Sequence, residues 1–379
     1  MSSGSQNEPV GYAANEQNGE RPALELLLAG MVRSGASAVV LMPGHPPLVR
    51  VQGALVATDG KVLDEHGVAE LLRGSLFQDQ WQRVHAGHEV HFLYTTSTGE
   101  RLRTVVMRQD GGVKAVMRRV PQQIPSFESL GLPELLSSFI EFQSGLVLLT
   151  GFLGSGKSST LAAMVDRLNR TTNELVVTVE QPIEYLFETA SALVHQRELG
   201  THVADYAQGI HEAVYHGADV VVVGDLRDYA TLDAALDAAE KGLLVLTTLH
   251  ASSVVGGLYD LVSLCPVDER PRMRVRLSQV LRAMMSQTLI RRSQTKGRVP
   301  LLEILINNQA VRTQLRAGAF QELPGIMEKS RGLGMQSVDQ GLRALLARNL
   351  ISVEEALYHA TNRDAVSGGA ARRPMAAMR

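Results

Sequence analysis

The run Leu146-Val-Leu-Leu-Thr-Gly-Phe-Leu-Gly-Ser-Gly-Lys-Ser-Ser159 joins an apolar segment to glycines, a lysine and hydroxyls in the spacing G-x-x-x-x-G-K-[ST]. That spacing makes a phosphate-binding loop. Gly151, Gly154 and Gly156 permit backbone conformations that a side chain would forbid, so successive N–H groups, Ser155 and Ser159 included, converge on phosphate oxygens at a helix N-terminus. Lys157 supplies a point charge for the β and γ phosphates, and the Ser158 hydroxyl is suited to ligate Mg²⁺. The context fits as well: an apolar strand precedes the loop and a helical period (Leu161, Met164, Val165, Leu168) follows it.

Three further groups stand at the ends of apolar runs. Val220-Val-Val-Val-Gly-Asp225 delivers a carboxylate to the end of a buried strand, where Asp225 could hold Mg²⁺ through water or polarise an attacking water. The other reading of Asp225 is a cap for the helix that follows at 229–241. Glu180-Gln-Pro-Ile-Glu184 ends the preceding strand, and Glu180 is the stronger candidate there for orienting water or metal. His250, after Thr247 and Thr248, could sense a γ phosphate or serve as a structural histidine.

These groups need a scaffold that brings strand ends together. From 136 onward, apolar runs at 146–150, 175–179, 220–223 and 243–249 alternate with helical stretches, the pattern of a parallel sheet with crossover helices. Ligands bind at the carboxyl ends of such strands. Beyond Asp268 the periodicity reads as helical at 273–291, 310–316, 338–347 and 353–359, a helical subdomain from 294 to 363.

Ahead of the connection at 121–135, which carries three prolines, lies an α+β domain over 21–120. A helix near 24–32 and short strands at 38–41 and 48–51 lead to a turn at Gly53 and a helical stretch at 68–77. Period-two runs at 89–95, 102–107 and 113–117 follow, the last two joined by an Asp-Gly hairpin signal. Arg101 and Arg103 share one strand face with Arg118 nearby, on composition alone a solvated face. Residues 1–20 and 364–379 read as disordered or loose tails.

Global composition excludes more than it selects. The 379 residues balance 37 Lys plus Arg against 39 Asp plus Glu, and no basic, aromatic-interleaved stripe marks a nucleic-acid binder. The one cysteine, Cys265, forms neither an internal disulfide nor a zinc cluster, which fits a reducing, cytoplasmic compartment. No apolar run is long enough to span a bilayer, and the polar start is no signal peptide, so a membrane role has to come through partners.

Several stretches together resemble the PilT/PilU-type ATPases of type IV pilus systems, in the secretion-ATPase superfamily. They include Glu180-x-Pro-Ile-Glu-Tyr185, Gln196-Arg-Glu198, Gly224-x-x-Arg-Asp228, Ala239-Glu-x-Gly242, Thr248-Leu-His250, Ser286-Gln-Thr-Leu289 and Gly334-Met-Gln336. The resemblance implies an α/β chain with an N-terminal PAS-like domain, a RecA-like ATPase core over 136–293 and a homohexameric ring. It further implies hydrolysis of ATP with Mg²⁺, a membrane platform protein as partner, a position at the inner membrane, and work in pilus retraction alone or beside a paralogous motor. It also raises Arg101, Arg103 and Arg118 from solvated face to charge stabilisers that reach the nucleotide across a domain or subunit boundary.

The chain departs from that family's pattern in several places. Asp225 replaces a glutamate, Gln181 replaces an acidic residue, and Leu243 stands for the first of two histidines. His211 and Tyr215 occupy the places of two arginines, Ser37-Ala-Val-Val-Leu41 replaces a Ser-Asp-Leu-His-Leu run, and Gly111 stands where an arginine is common. These changes are expected to cluster at the chemistry and to slow hydrolysis, since about 1 Å of misplacement can cost on the order of 10²-fold.

Overall fold

The computed structural model describes residues 22–51, 54–120, 123–294 and 297–367, and the chain divides into two compact units, Met1–Gln122 and Gln123–Arg379. The expectations for 1–20, for the Gly53 turn and for 368–379 lie outside the described residues.

The first unit is an antiparallel sheet of six strands: β1 (Ala38–Leu41), β2 (Leu48–Val51), β3 (Ala54–Ala57), β4 (Val90–Thr95), β5 (Arg101–Gln109) and β6 (Gly112–Val120). Their order is β3-β2-β1-β6-β5-β4. Alternation along the strands decides which face is covered. Leu102 and Val106 of β5, Ala115 and Met117 of β6, and Val39 and Leu41 of β1 pack with Leu24, Leu28, Val68 and Leu72 from the helices Pro22–Arg33 and Glu65–Leu72. The opposite face carries the arginines. Arg103 lies directly across from Arg118, Arg101 is two residues from Arg103 on β5, and Ala38 sits opposite both Arg50 and Arg118. Four arginines therefore share the face turned away from the helices. The Asp-Gly signal marks a real turn, with Gln109 opposite Gly112 and Gly111 at φ 83°. Sequence periodicity overlooks β3 and the polar helix Gln78–His85.

The second unit holds a seven-stranded sheet: β7 (Gly145–Thr150), β8 (Leu175–Glu180), β9 (Leu193–Glu198), β10 (Val220–Val223), β11 (Leu244–Leu249), β12 (Leu281–Arg291) and β13 (Arg298–Ile306). Its order is β13-β12-β7-β11-β10-β8-β9, and only the β12/β13 pair is antiparallel. Counted from β7, the strands β12-β7-β11-β10-β8 run 5-1-4-3-2, the RecA-like arrangement.

Both faces are buried. Leu146 and Leu148 of β7, Val177 and Val179 of β8, and Val221 and Val223 of β10 enter one apolar cluster. Their alternates Val147, Leu149, Val176, Val220 and Val222 enter the other. A strand buried on both sides has no polar phase, which is why these segments read as continuous apolar runs. The segment 121–135, expected as a connection, contributes Phe127 and Leu132 to the second cluster.

One expectation fails outright. Residues 273–291 are not a helix: Arg270–Val280 is helical, and the chain then turns into β12 and returns as β13, so the boundary expected at 293 falls inside a hairpin. Leu281-Arg-Ala-Met-Met-Ser-Gln-Thr-Leu-Ile carries good helix formers and no alternation, so local preference favours a helix. Pairing with β7 overrides it, from Leu281 opposite Leu146 to Ser286 opposite Thr150. Pro300 fits where it does because β13 is an edge strand. Beyond the hairpin the helices Gln309–Ala317, Val338–Ala347 and Val353–His359 match expectation, while residues 364–367 continue the helix Arg363–Ser367 instead of a tail.

Candidate active site

The carboxyl ends of β7, β8, β10 and β11 bring Lys157, Glu180, Asp225 and His250 to one edge of the sheet. The phosphate loop leaves β7 at Thr150, whose hydroxyl donates to the Ala251 carbonyl at 2.8 Å. Gly151, Gly154 and Gly156 sit at φ 151°, 79° and 91°. Gly156 then leads into the helix Lys157–Thr171, where Leu161, Met164, Val165 and Leu168 bury its inner face. Ser158 is exposed at the helix start, and the Ser159 hydroxyl meets the Tyr185 hydroxyl at 2.9 Å.

Lys157 is buried inside the loop. Its ammonium donates to the Gly151 carbonyl at 2.6 Å and the Phe152 carbonyl at 3.2 Å, and lies 3.4 Å from His250 Nδ1. Burial lowers its pKa, and the charge of Asp225 works against that. His250 reaches the other way too, its Nε2 lying 3.7 Å from Asp225 Oδ2. The imidazole thus stands between the loop lysine and the strand-end carboxylate.

Asp225 is 7 % exposed. Its Oδ2 accepts from Arg227 Nε at 3.0 Å, while Oδ1 accepts no hydrogen bond from any described residue. A buried carboxylate oxygen without a donor suits a hydrated cation or a water. Helix capping falls to Asp228, which accepts from the Thr231 N–H at 2.8 Å, so the capping reading of Asp225 is removed. Mg²⁺, which the family implies, fits these residues: Ser158 and Asp225 would hold it, and it would supply charge neutralisation at the phosphates. No group of three or more His, Cys, Asp or Glu among the described residues forms an all-protein metal cage.

Glu180 closes β8. It accepts from the Thr178 hydroxyl at 2.6 Å and from Gln196 Nε2 at 3.2 Å. Burial pushes its pKa up to about 7 against the pull of these donors. A carboxylate titrating there is matched to taking a proton from water at neutral pH.

Two residues to which sequence reasoning gave no role shape this site. Arg227 holds Asp225 and also donates from Nη1 to Gln181 Oε1 at 3.0 Å, with its guanidinium 5.6 Å from the Tyr206 ring centroid. Gln287, on β12, reaches under the phosphate loop. Both stand in stretches that carried the family resemblance; the signal was present without its meaning.

The expected clustering of departures needs correction. Gln181 and Asp225 do lie at the site. Leu243 does not: it precedes β11 while His250 follows it, some 20 Å away along a strand, and it is packed into the core. His211 and Tyr215 are exposed on the helix Tyr206–Tyr215. Arg101, Arg103 and Arg118 belong to the first unit, and only Arg118 is well exposed there.

Comparison with known proteins decides the family. Residues 83–357 match the model described as "Type II/IV secretion system protein". The chain belongs to that family. It is 35 % identical over 330 residues to the type IV pilus retraction ATPase PilT of Pseudomonas aeruginosa, covering 87 % of this chain and 96 % of that one. With the type IV pilus ATPase PilU of the same organism it shares 32 % over 336 residues, 89 % and 88 % of the two chains. The crystal structure of the pilus retraction motor PilT with bound ADP superposes with TM-score 0.81 at 32 % identity, covering 89 % of this chain and 97 % of that one. Within the family the chain is of the PilT/PilU type, a branch of ATPases with an N-terminal domain and a RecA-like core. No described helix is long and apolar enough to cross a membrane.

Proposed function

We propose that this chain is an ATP-hydrolysing motor of a type IV pilus system, working as a hexameric ring that powers pilus retraction from the cytoplasmic side of the inner membrane. The observation that carries the reading is the unsatisfied, buried Asp225 Oδ1, across the His250 imidazole from a lysine already drawn into its phosphate loop. Such a pair is built to receive a charged ligand. The loop amides of residues 154–159 and the Lys157 ammonium would bind the β and γ phosphates. Glu180 would accept the proton of the attacking water, Asp225 would orient that water, and His250 would respond to the γ phosphate through its contacts to Lys157 and Asp225. Mg²⁺ would neutralise phosphate charge. Arg118, exposed on the arginine face of the first unit, supports a role for that face, Arg101 and Arg103 included, in stabilising the departing phosphate. Docking to a membrane platform protein and the limits of the PAS-like and helical domains belong to the same proposal.

A second reading has its own observation. Arg227 occupies Asp225 Oδ2 while Gln181 supplies no charge to draw it off, so the carboxylate is short and partly neutralised. That favours a nucleotide-binding subunit of slow turnover that assists a paralogous motor. Deletion in the source cell tests the pair. A primary motor predicts pili that accumulate without retracting, restored by the wild-type gene and not by Lys157→Ala. Near-normal retraction after deletion, lost only when a paralogue is also weakened, would favour the accessory role; unchanged pili in both backgrounds would end both readings.

A further inference from the structure

Gln287 stays in β12 opposite Leu302 of β13, one residue beyond the last β12/β7 pair, Ser286 opposite Thr150, which sets it beside Gly151. The approach is close: a Cβ on Gly151 would fall 2.4 Å from the Gln287 carbonyl oxygen, and one on Gly156 would fall 2.7 Å from Gln287 Nε2. The side chain is 3 % exposed and both its polar atoms are used. Nε2 donates to the Ser155 carbonyl at 2.8 Å, and Oε1 accepts from the Thr160 hydroxyl at 2.8 Å. The first bond fixes which way the amide points, because the Ser155 carbonyl can only accept and only the amide nitrogen can donate to it, which leaves Oε1 to accept from Thr160.

We infer that Gln287 is a positioning residue that sets the phosphate loop for nucleotide, by holding the Ser155 carbonyl away from the phosphates so that the Gly156 N–H points toward them. The reason is the peptide plane. In a trans peptide the C=O and the next N–H point in opposite directions, so anchoring the Ser155 oxygen beneath the loop turns the Gly156 hydrogen into the cradle. Without the anchor, Gly156, with no side chain to restrict it, allows this peptide to rotate and to offer an oxygen to an anion. Gln287 lies on the hairpin that leads to the C-terminal helices, so it also ties that part of the second unit to the loop.

The inference rests on the reading of residues 151–159 as a nucleotide loop. Its test is equilibrium titration of the full-length protein with fluorescent ADP and Mg²⁺. Gln287→Met keeps the volume and removes both hydrogen bonds; Gln287→Glu keeps the acceptor for Thr160 and loses the donor to Ser155. Both are expected to weaken ADP binding by roughly tenfold to a hundredfold, the range for one hydrogen bond toward a charged group. KM for ATP should rise by a similar factor with kcat within about twofold, since the amide grips ground and transition states alike. Folded Gln287→Met or Gln287→Glu protein that binds ADP as tightly as wild type would reduce Gln287 to packing and overturn the inference. Wild type indistinguishable from Lys157→Ala would instead remove the nucleotide loop itself. Should Gln287→Met fail to fold, Gln287→Glu decides alone.

Discussion

At the scale of single residues, Glu180 makes the sharpest statement about pH. Its pKa is raised to about 7 because burial disfavours the charged form, and a general base works only when ionised. Turnover at saturating ATP should therefore climb about tenfold per pH unit below 7 and level off above it. A profile flat between about pH 6 and 8 would take Glu180 out of that role. Glu180→Gln should lower kcat by about 10²- to 10⁴-fold while leaving ADP affinity within a few-fold. For Asp225→Glu the expected direction is upward: the longer carboxylate recovers the reach of the glutamate that the resemblance implies at this place, and steady-state turnover should rise. A fall would show a pocket refitted around aspartate by Arg227. Lys157 was legible in the sequence through the glycine-lysine spacing of its loop, and Glu180, Asp225 and His250 because each ends an apolar run, and strand ends converge. Arg227 and Gln287 were not, because what they touch depends on strand register, which periodicity does not encode.

At the scale of elements, the helix Tyr206–Tyr215 packs against β8 through Gly209, where an added Cβ would lie 2.8 Å from Val179 Cγ1. An alanine in an open helix position is stabilising by about 0.8–1 kcal/mol relative to glycine. Here the contact reverses the sign, and Gly209→Ala should destabilise by about 1–3 kcal/mol in denaturant midpoint while disturbing Glu180, the next residue along β8. Leu148→Ala, in the fully buried β7 beneath the phosphate loop, should cost about 2–5 kcal/mol by the same measurement. The parallel core was readable as alternating strands and helices, since strands buried on both faces announce themselves as short apolar runs. The β12/β13 hairpin was not, because Leu, Met and Ala suit a helix equally well until β7 offers its edge.

At the scale of the whole molecule, the proposed ring is what would bring the arginine face of one subunit to the nucleotide of another. Arg118→Ala, the exposed member of the face, should lower turnover by at least tenfold under conditions where the ring assembles, with little change in ADP affinity. Equal turnover in wild type and variant would return that face to ordinary solvated surface.

The central claim is that the loop from Gly151 to Ser159 grips a triphosphate and that the strand-end carboxylates turn it over. Phosphate release from ATP by purified protein, with and without Mg²⁺, beside Lys157→Ala, tests it most directly. The expected result is magnesium-dependent release, slow or fast, that the lysine variant abolishes. Release unaffected by loss of the Lys157 ammonium, or none from a protein that also fails to bind ADP, would contradict it.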